Sequence, residues 1–187
     1  MKKILIENKK VIKEILSYVV IILIVVLIRT FIATPVIVNG PSMEKTLYDG
    51  EMLILNKLSK RLGDIDRFDI VVIDDDADDE LIIKRIIGLP GDKVAYKDNK
   101  LYINDELVED YGYGETQDFD IYDICMAGGG SKNSCNYETI PDNYYLVLGD
   151  NRVVSYDSRY IGFINYEDIK GKVLIRLWPL NKIGSIE

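Results

Sequence analysis

The sequence has 187 residues, of which 48% are hydrophobic, and a formal net charge of −8 at pH 7. It contains 0 histidines and 2 cysteines, which excludes Ser–His and Cys–His catalytic pairs, imidazole zinc sites and four-cysteine metal sites. The length allows one domain with a membrane segment. If the protein is an enzyme that uses a general base, that base must be Lys, Asp, Glu or Tyr. We expect no metal or other cofactor.

The first predicted element is a membrane anchor over residues 15–33. Residues 15–28, ILSYVVIILIVVLI, are uncharged and almost wholly apolar, and the apolar character resumes after Arg29, so the segment can cross about 30 Å of hydrocarbon. The lack of a polar face argues against a buried soluble helix, and a poor cleavage site argues against a removed secretory signal. Residues 1–14 carry a net charge of +3, which predicts a cytoplasmic N-terminus and an extracytoplasmic domain over residues 34–187.

The predicted extracytoplasmic domain is strongly acidic, with a net charge of −12. This charge argues against nucleic acid as a partner and against broad electrostatic docking onto anionic lipid. We therefore expect any contact between this domain and the lipid bilayer to be apolar.

The remaining sequence predicts a mostly β domain, either a folded antiparallel sheet or a small barrel. Short apolar or alternating runs are separated by turn residues, and no long stretch has helical periodicity. The Asp98-Asn99 pair between two such runs predicts a tight hairpin. The predicted strands are residues 35–40, 51–58, 69–74, 80–88, 92–97, 100–105, 143–150 and 171–178.

Two polar stretches interrupt these strands. Residues 74–80, DDDADDE, lack the glycine of a calcium-binding loop and predict a solvated hairpin tip. Residues 110–136 predict a long surface insertion that holds Cys125 and Cys135. In an extracytoplasmic domain these cysteines would close a small loop as a disulfide, and two free thiols are the alternative.

A serine and a lysine are the candidate catalytic residues. Ser42 follows a Gly-Pro turn after an apolar strand, and a serine nucleophile needs a neighbouring base. A lysine can be that base only when burial or positive neighbours lower its pKa from about 10.4. Lys84 shares one strand face with Ile82 and Ile86, which makes a dyad with Ser42 a hypothesis. The alternative is a strand lysine whose amine reaches solvent.

Further motifs give this hypothesis its context. They are PSM at residues 41–43, Lys84-Arg85, GLPGD at residues 88–92 and GDNRVVSYDSRYIGFI at residues 149–164. In this order they closely resemble the bacterial type I signal peptidases, membrane-anchored serine endopeptidases that remove signal peptides from exported proteins. The resemblance runs from the apolar anchor to WPLNKIG at residues 178–184, and the insertion falls outside it.

The resemblance implies a role for each matching residue. Ser42 is expected to be the nucleophile and Lys84 the general base. Ser155 matches the residue whose hydroxyl holds the lysine amine, and Asp157 and Arg159 match a charged pair that braces the site. The residues of the GDNR motif are expected to fix the turn that presents Ser155.

This sequence departs from the family pattern at three places. Gly40 stands where many relatives carry a hydroxyl that donates to the oxyanion. The oxyanion would therefore need a second hydrogen-bond donor, from another group, beside the backbone N–H of Ser42. Lys45 stands where relatives usually have proline, and Val153-Val154 stand where they commonly have Asp-Asn. We expect these changes to reshape local turns, and they raise the possibility of a specialised paralogue.

The resemblance also implies how substrate is chosen. Signal peptides present small side chains one and three positions before the cut, so shallow apolar pockets are expected beside Ser42. The substrate would lie extended as an added strand along the edges that carry Ser42 and Lys84. The expected pocket residues, which ordinary core packing would equally explain, are Val36, Val38, Met43, Leu47 and Ile83.

Three rival functions follow from the same features. They are a noncatalytic signal-peptidase-like protein that assists pilus assembly, a self-cleaving repressor-type Ser-Lys protease, and an anchored β domain that only binds partners. Retention of both Ser42 and Lys84 favours cleavage over the first, and the apolar anchor argues against the second. The sequence thus predicts a single-pass protein of the bacterial cell membrane, similar to Gram-positive members.

Overall fold

The structure is a computed structural model that describes residues 2–75 and 80–186. Residues 76–79, most of the predicted acidic hairpin tip, lie outside the described residues. The chain begins with helix α1 (Lys2–Phe31). Its apolar part, Lys10–Phe31, is the one described helix that by length and composition could cross a membrane. The predicted apolar helix is therefore confirmed, and it ends at Phe31.

The remaining elements are mostly strands. All eight predicted strands are confirmed, whereas the short strands β7, β8, β10 and β12 and the short helices were missed because they give no periodic pattern. The elements after α1 are β1 (Ala33–Ile37), β2 (Met52–Asn56), α2 (Lys57–Leu62), β3 (Ile70–Asp75), β4 (Glu80–Gly88), β5 (Val94–Lys97), β6 (Lys100–Ile103), β7 (Glu106–Val108), β8 (Phe119–Asp120), α3 (Ile121–Ala127), β9 (Tyr144–Leu148), α4 (Ser158–Ile161), β10 (Ile164–Asn165), β11 (Ile169–Trp178) and β12 (Gly184–Ser185).

The described strands form two antiparallel sheets. The larger has the order β1-β2-β11-β3-β4-β9-β10, with β12 beside β11, and the smaller has the order β7-β6-β5-β8. The predicted hairpin joins β5 to β6 through Asp98 and Asn99, whose φ angles are 49° and 61°. Positive φ at both turn residues is the geometry of a two-residue hairpin, and Asp and Asn tolerate it. The mostly β, antiparallel fold class is confirmed.

Strand β4 is anchored in all three clusters of the hydrophobic core. Ile87 packs between the two sheets, Ile83 packs beneath β1 and β2, and Ile86 packs on the opposite face against β3 and β9. Each contact removes apolar surface from water. Lys84 therefore sits on a strand that is held by all three clusters.

The insertion over residues 110–136 is built into the domain. Cys125 and Cys135 form a disulfide, which settles the open alternative. Strand β8 pairs with β5, and Phe119 and Ile124 are buried in the cluster between the sheets. The insertion thus extends the smaller sheet and contributes to its core.

An ion pair connects the start of the insertion to the GDNR motif. Arg152 donates two hydrogen bonds to Asp110, the longer of them 2.6 Å from Nη2 to Oδ1. Burial disfavours the charged form of Asp110, but the hydrogen bonds from Arg152 outweigh it and lower the pKa of this carboxyl. The same pair raises the pKa of Arg152, although burial opposes it.

Shortening a buried leucine tests the core between the sheets. Leu101 is 1% exposed, and we expect Leu101→Ala to lower the free energy of unfolding by about 2–5 kcal/mol. Leu107, 62% exposed on the neighbouring strand, is the matched control, and Leu107→Ala should stay within about 0.5 kcal/mol of wild type. Urea unfolding of the full chain in detergent, followed by circular dichroism, measures both. Equal losses would contradict this core.

Acid should weaken the attachment of the insertion. Because the folded-state pKa of Asp110 is lowered, its pair stabilises the fold above the unfolded-state pKa of about 3.9, and this contribution is lost as pH falls through the folded-state value. We expect Asp110→Asn to cost about 2 kcal/mol at pH 7. Urea unfolding should show a smaller cost near pH 3, and the same cost at both pH values would contradict the role of this pair.

Candidate active site

Ser42 and Lys84 lie together in the structure. Lys84 Nζ is 3.2 Å from Ser42 Oγ, within hydrogen-bond distance. The Lys84 residue is 4% exposed, and Ser42 is half-buried. The structure thus places the two predicted catalytic side chains in contact, with the amine withdrawn from solvent.

Strand pairing leaves one side of this site open. Residues 81–84 of β4 pair with β3, but β9 begins to pair only at Arg85, so within the described strands their other edge is unoccupied. Strand β1, which leads to Ser42, is an end strand of the larger sheet as described. Two strand edges with unpaired backbone groups therefore flank the contact between Ser42 and Lys84.

A buried ion pair supports the Ser42 loop from below. Arg85 donates to Asp150 through Nε at 2.9 Å and through Nη2 at 2.7 Å, and the two side chains are 2% exposed. Thr46, four residues after Ser42, donates from Oγ1 to the same carboxylate at 2.5 Å. A bidentate pair of this kind fixes geometry, and losing either partner would leave a buried charge.

The backbone of Ser42 is held by the residue that follows Asp150. The Asn151 N–H donates to the Ser42 carbonyl oxygen at 3.0 Å, and its side-chain Nδ2 donates to the Pro41 carbonyl oxygen at 3.3 Å. These two bonds dock the GDNR motif on the serine turn. The expected structural role of this motif extends to the serine itself.

Ser155 lies on the other side of Gly149. A Cβ on Gly149 would lie 2.2 Å from Ser155 Oγ and 2.6 Å from the Ser42 carbonyl oxygen, so only glycine fits between the two serines. The Ser155 residue is 3% exposed, and its Oγ makes no hydrogen bond within the described residues. Its expected contact with the lysine amine stays a prediction.

Asp157 and Arg159 form the expected pair. Arg159 Nε lies 2.8 Å from Asp157 Oδ1, and Nη2 lies 2.9 Å from Oδ2. Asp157 also accepts from the Gly149 N–H at 3.0 Å, and Arg159 donates to the Arg152 carbonyl oxygen at 2.9 Å. The pair therefore holds both ends of the loop that carries Ser155.

The predicted pocket residues share one apolar cluster beneath the Ser42 turn. Four of them are 0–9% exposed and already packed against one another, and Val36 is partly buried at the margin. They are thus core residues, and Val36 and Ile83 belong to the two strands whose edges are unoccupied. The buried four are Val38, Met43, Leu47 and Ile83.

Sequence reasoning missed one aromatic residue near the site. The backbone of Tyr113, in the insertion, exchanges hydrogen bonds with residues 150–152, and its ring lies 4.1 Å from Lys45 Nζ. Lys45 has a φ of 73°, which proline cannot adopt, so the departure from the family at this position goes with a reshaped turn. No sequence pattern linked Tyr113 to a residue 68 positions earlier.

Comparisons with known proteins identify the family. The sequence model of "Signal peptidase, peptidase S26" matches residues 11–178. Signal peptidase I of Bacillus caldolyticus is 38% identical over 162 residues, 86% of this chain and 88% of that protein. Signal peptidase IB of Staphylococcus aureus (strain COL) is 37% identical over 185 residues, 94% of this chain and 93% of that protein.

One solved structure is also similar to part of this chain. A crystal structure of a signal peptidase I from Enterococcus faecalis V583 is 36% identical, covers 58% of this chain and 95% of its own, and has a TM-score of 0.47. Within residues 2–75 and 80–186 there is no group of three or more His, Cys, Asp or Glu residues that could hold a metal ion. With the family match over most of its length, this chain belongs to the signal peptidases of peptidase family S26 and is a serine endopeptidase.

Proposed function

We propose that this chain cleaves signal peptides from exported preproteins with a Ser42–Lys84 dyad. The observation that carries the proposal is the 3.2 Å separation between Lys84 Nζ and Ser42 Oγ, with the lysine 4% exposed. Family membership supports signal-peptide cleavage by a serine peptidase. The dyad explains how a chain without histidine activates its serine.

In the proposed mechanism one amine carries the proton through every step. Neutral Lys84 accepts the proton of the Ser42 hydroxyl while Oγ attacks the carbonyl carbon of the scissile peptide. The resulting ammonium protonates the departing amine, which leaves an ester between Ser42 and the signal peptide. The neutral Lys84 amine then takes a proton from water as the water oxygen attacks the ester carbonyl. It returns this proton to Ser42 Oγ as the ester bond breaks, which releases the signal peptide with a free carboxyl end.

Burial is the proposed source of lysine reactivity. An ammonium group in apolar surroundings loses hydration, so burial favours the neutral amine. Ile83 precedes Lys84 in the core, and Ile82 and Ile86 flank it on β4. This environment supports a lysine that can accept a proton near neutral pH.

The negative charge that develops on the substrate needs hydrogen-bond donors. We assign the first donor to the backbone N–H of Ser42. The Gly40 N–H already donates to Asp49 Oδ1 at 2.8 Å, and Gly40 has no hydroxyl, so it does not supply the second donor. The second donor must come from another group near the turn.

The substrate is proposed to add a strand in the open cleft. Its extended backbone would hydrogen-bond to the edge of β1 and to residues 81–84 of β4, which places the scissile carbonyl at Ser42. Small side chains before the cut would contact the apolar wall of Val36, Val38 and Ile83, with Met43 and Leu47 behind them.

We place the protein in the bacterial membrane through α1. The apolar segment Lys10–Phe31 and the net +3 of residues 1–14 support a single anchor with a cytoplasmic N-terminus and the β domain outside. This arrangement would put the cleft next to the membrane surface, where a signal peptide leaves the bilayer.

Removing either member of the dyad tests the proposal. We expect Ser42→Ala and Lys84→Ala each to lower kcat for preprotein cleavage by at least about 10³-fold, because neither group works without the other. Ser131→Ala and Lys97→Ala, at exposed positions, should cleave like wild type. Gel analysis of preprotein incubated with the full chain in detergent measures these rates. Cleavage by the dyad variants at the wild-type rate would refute the dyad, and no cleavage by wild type would favour the pilus-assembly alternative.

Ser155 is proposed as a positioning residue for Lys84. If its hydroxyl orients the amine by accepting an N–H of Lys84, Ser155→Ala should lower kcat about 10–100-fold with little change in KM. It should also move the rising limb of the pH–rate profile to lower pH, because an acceptor hydroxyl stabilises the charged amine. Ser155→Thr, which keeps the hydroxyl, should recover part of the rate. A purely structural serine would lower stability and leave the pH profile in place, and that result would contradict the assignment.

A further inference from the structure

A cavity of about 680 Å³ lies on the inner face of β1 and β2. Part of its wall is apolar, formed by residues such as Leu55 and Ile169. Val36 of β1 and Leu81 of β4 line it and also belong to the proposed substrate path, so the cavity adjoins the proposed substrate cleft. We call this space the basic cavity, because its lining includes four cationic side chains, those of Lys57, Lys60, Arg61 and Lys170.

The basic cavity adjoins the end of the membrane helix. The Lys57 N–H donates to the Ile32 carbonyl oxygen at 2.8 Å, and Lys57 Nζ donates to the Arg29 carbonyl oxygen at 3.2 Å. The Arg61 guanidinium lies 5.0 Å from the centre of the Phe31 ring. A helix that spans the bilayer ends at the level of the lipid headgroups, so these contacts place the basic cavity at that level.

The local charge is opposite to that of the domain as a whole. Residues 34–187 carry a net charge of −12, yet four cations line this one cavity. Lys60 pairs with Glu167 at 3.6 Å, but that carboxylate is 83% exposed and such a pair is weak. Lys170 pairs with Asp74.

The other two cationic side chains of the basic cavity differ from Lys60 and Lys170 in their ion pairing. Lys57 and Arg61 have no ion-pair partner within the described residues. Both lie on the short helix α2, on the side facing the end of α1. Within the part of the chain that the structure describes, Lys57 and Arg61 therefore offer positive charge that no carboxylate neutralises.

We propose that the basic cavity binds the headgroup phosphate of an anionic membrane phospholipid. The Arg61 fork matches two phosphate oxygens, and Lys57 and Lys60 supply further charge-assisted hydrogen bonds. The proposal rests on membrane anchoring and not on the dyad, and it holds for either orientation of α1.

Such a site would fix the domain at the membrane surface. A lipid held between α1 and α2 would give the domain a second attachment to the membrane beside α1 itself. It would also correct the expectation that membrane contact is purely apolar, because the cationic residues are concentrated at one point of an acidic domain.

Competitive lipid binding tests the site. The full chain in neutral detergent is mixed with equal amounts of phosphatidylglycerol and phosphatidylcholine of the same acyl chains, and bound lipid is counted by native mass spectrometry. We expect wild type to retain phosphatidylglycerol preferentially and the Lys57→Gln/Arg61→Gln variant to lose this preference about 10-fold. The control Lys97→Gln/Lys100→Gln makes the same charge change at the exposed β5–β6 hairpin and should behave like wild type.

An additional variant, a competition with inorganic phosphate and a cleavage assay distinguish the possible results of this experiment. Because Lys57 also bonds to the end of α1, Arg61→Gln alone serves as a second variant, with a partial loss expected. Millimolar inorganic phosphate should displace little lipid, and full displacement would point to a soluble phosphate as the ligand and overturn the proposal. Equal retention by both double variants, or equal loss, would also overturn it. The kcat for preprotein cleavage at saturating substrate in neutral detergent should be the same for Lys57→Gln/Arg61→Gln and wild type, because the variant leaves Ser42 and Lys84 in place, so failure of the lipid site leaves the dyad untouched.

Discussion

The contact between a buried amine and a hydroxyl is the interaction on which the proposed activity of this protein depends. Lys84 Nζ lies 3.2 Å from Ser42 Oγ on a strand whose isoleucines enter three separate core clusters. A lysine placed in such a strand normally costs stability, because its charged form loses water. The fold accepts this cost at Lys84, and in the proposed mechanism the same burial favours the neutral amine that a base requires.

Holding that contact requires a connected set of hydrogen bonds around Ser42. Asp150 joins Arg85 to Thr46, and the next residue, Asn151, bonds to the serine backbone. Arg152 continues the network to Asp110 in the insertion, and the Asp157–Arg159 pair closes it at Gly149 and Arg152. The insertion, which has no counterpart in the family motifs, is thus mechanically linked to the serine turn.

Local chemistry explains which features the sequence could predict. Alternating strands, the Asp98-Asn99 hairpin, and the isoleucines around Lys84 are each decided by neighbours in the chain, and all three were correctly predicted. Short elements such as α2 and β8 were missed because two to six residues show no period. The contact of Tyr113 with Lys45 and the basic cavity join residues far apart in sequence, so only the folded chain reveals them. The expected contact between the Ser155 hydroxyl and the Lys84 amine was predicted from the family resemblance alone. The Ser155 hydroxyl has no hydrogen bond in the described structure.

The most direct measurement is an NMR titration of the Lys84 amine in the full chain, with ¹⁵N at lysine Nζ and Lys84→Arg to assign the signal. We predict that this amine loses its proton at a pH well below the value of about 10.4 for free lysine, and that Ser42→Ala preserves most of the difference because burial causes it. A midpoint at or above that of free lysine would contradict the role of Lys84 as the base.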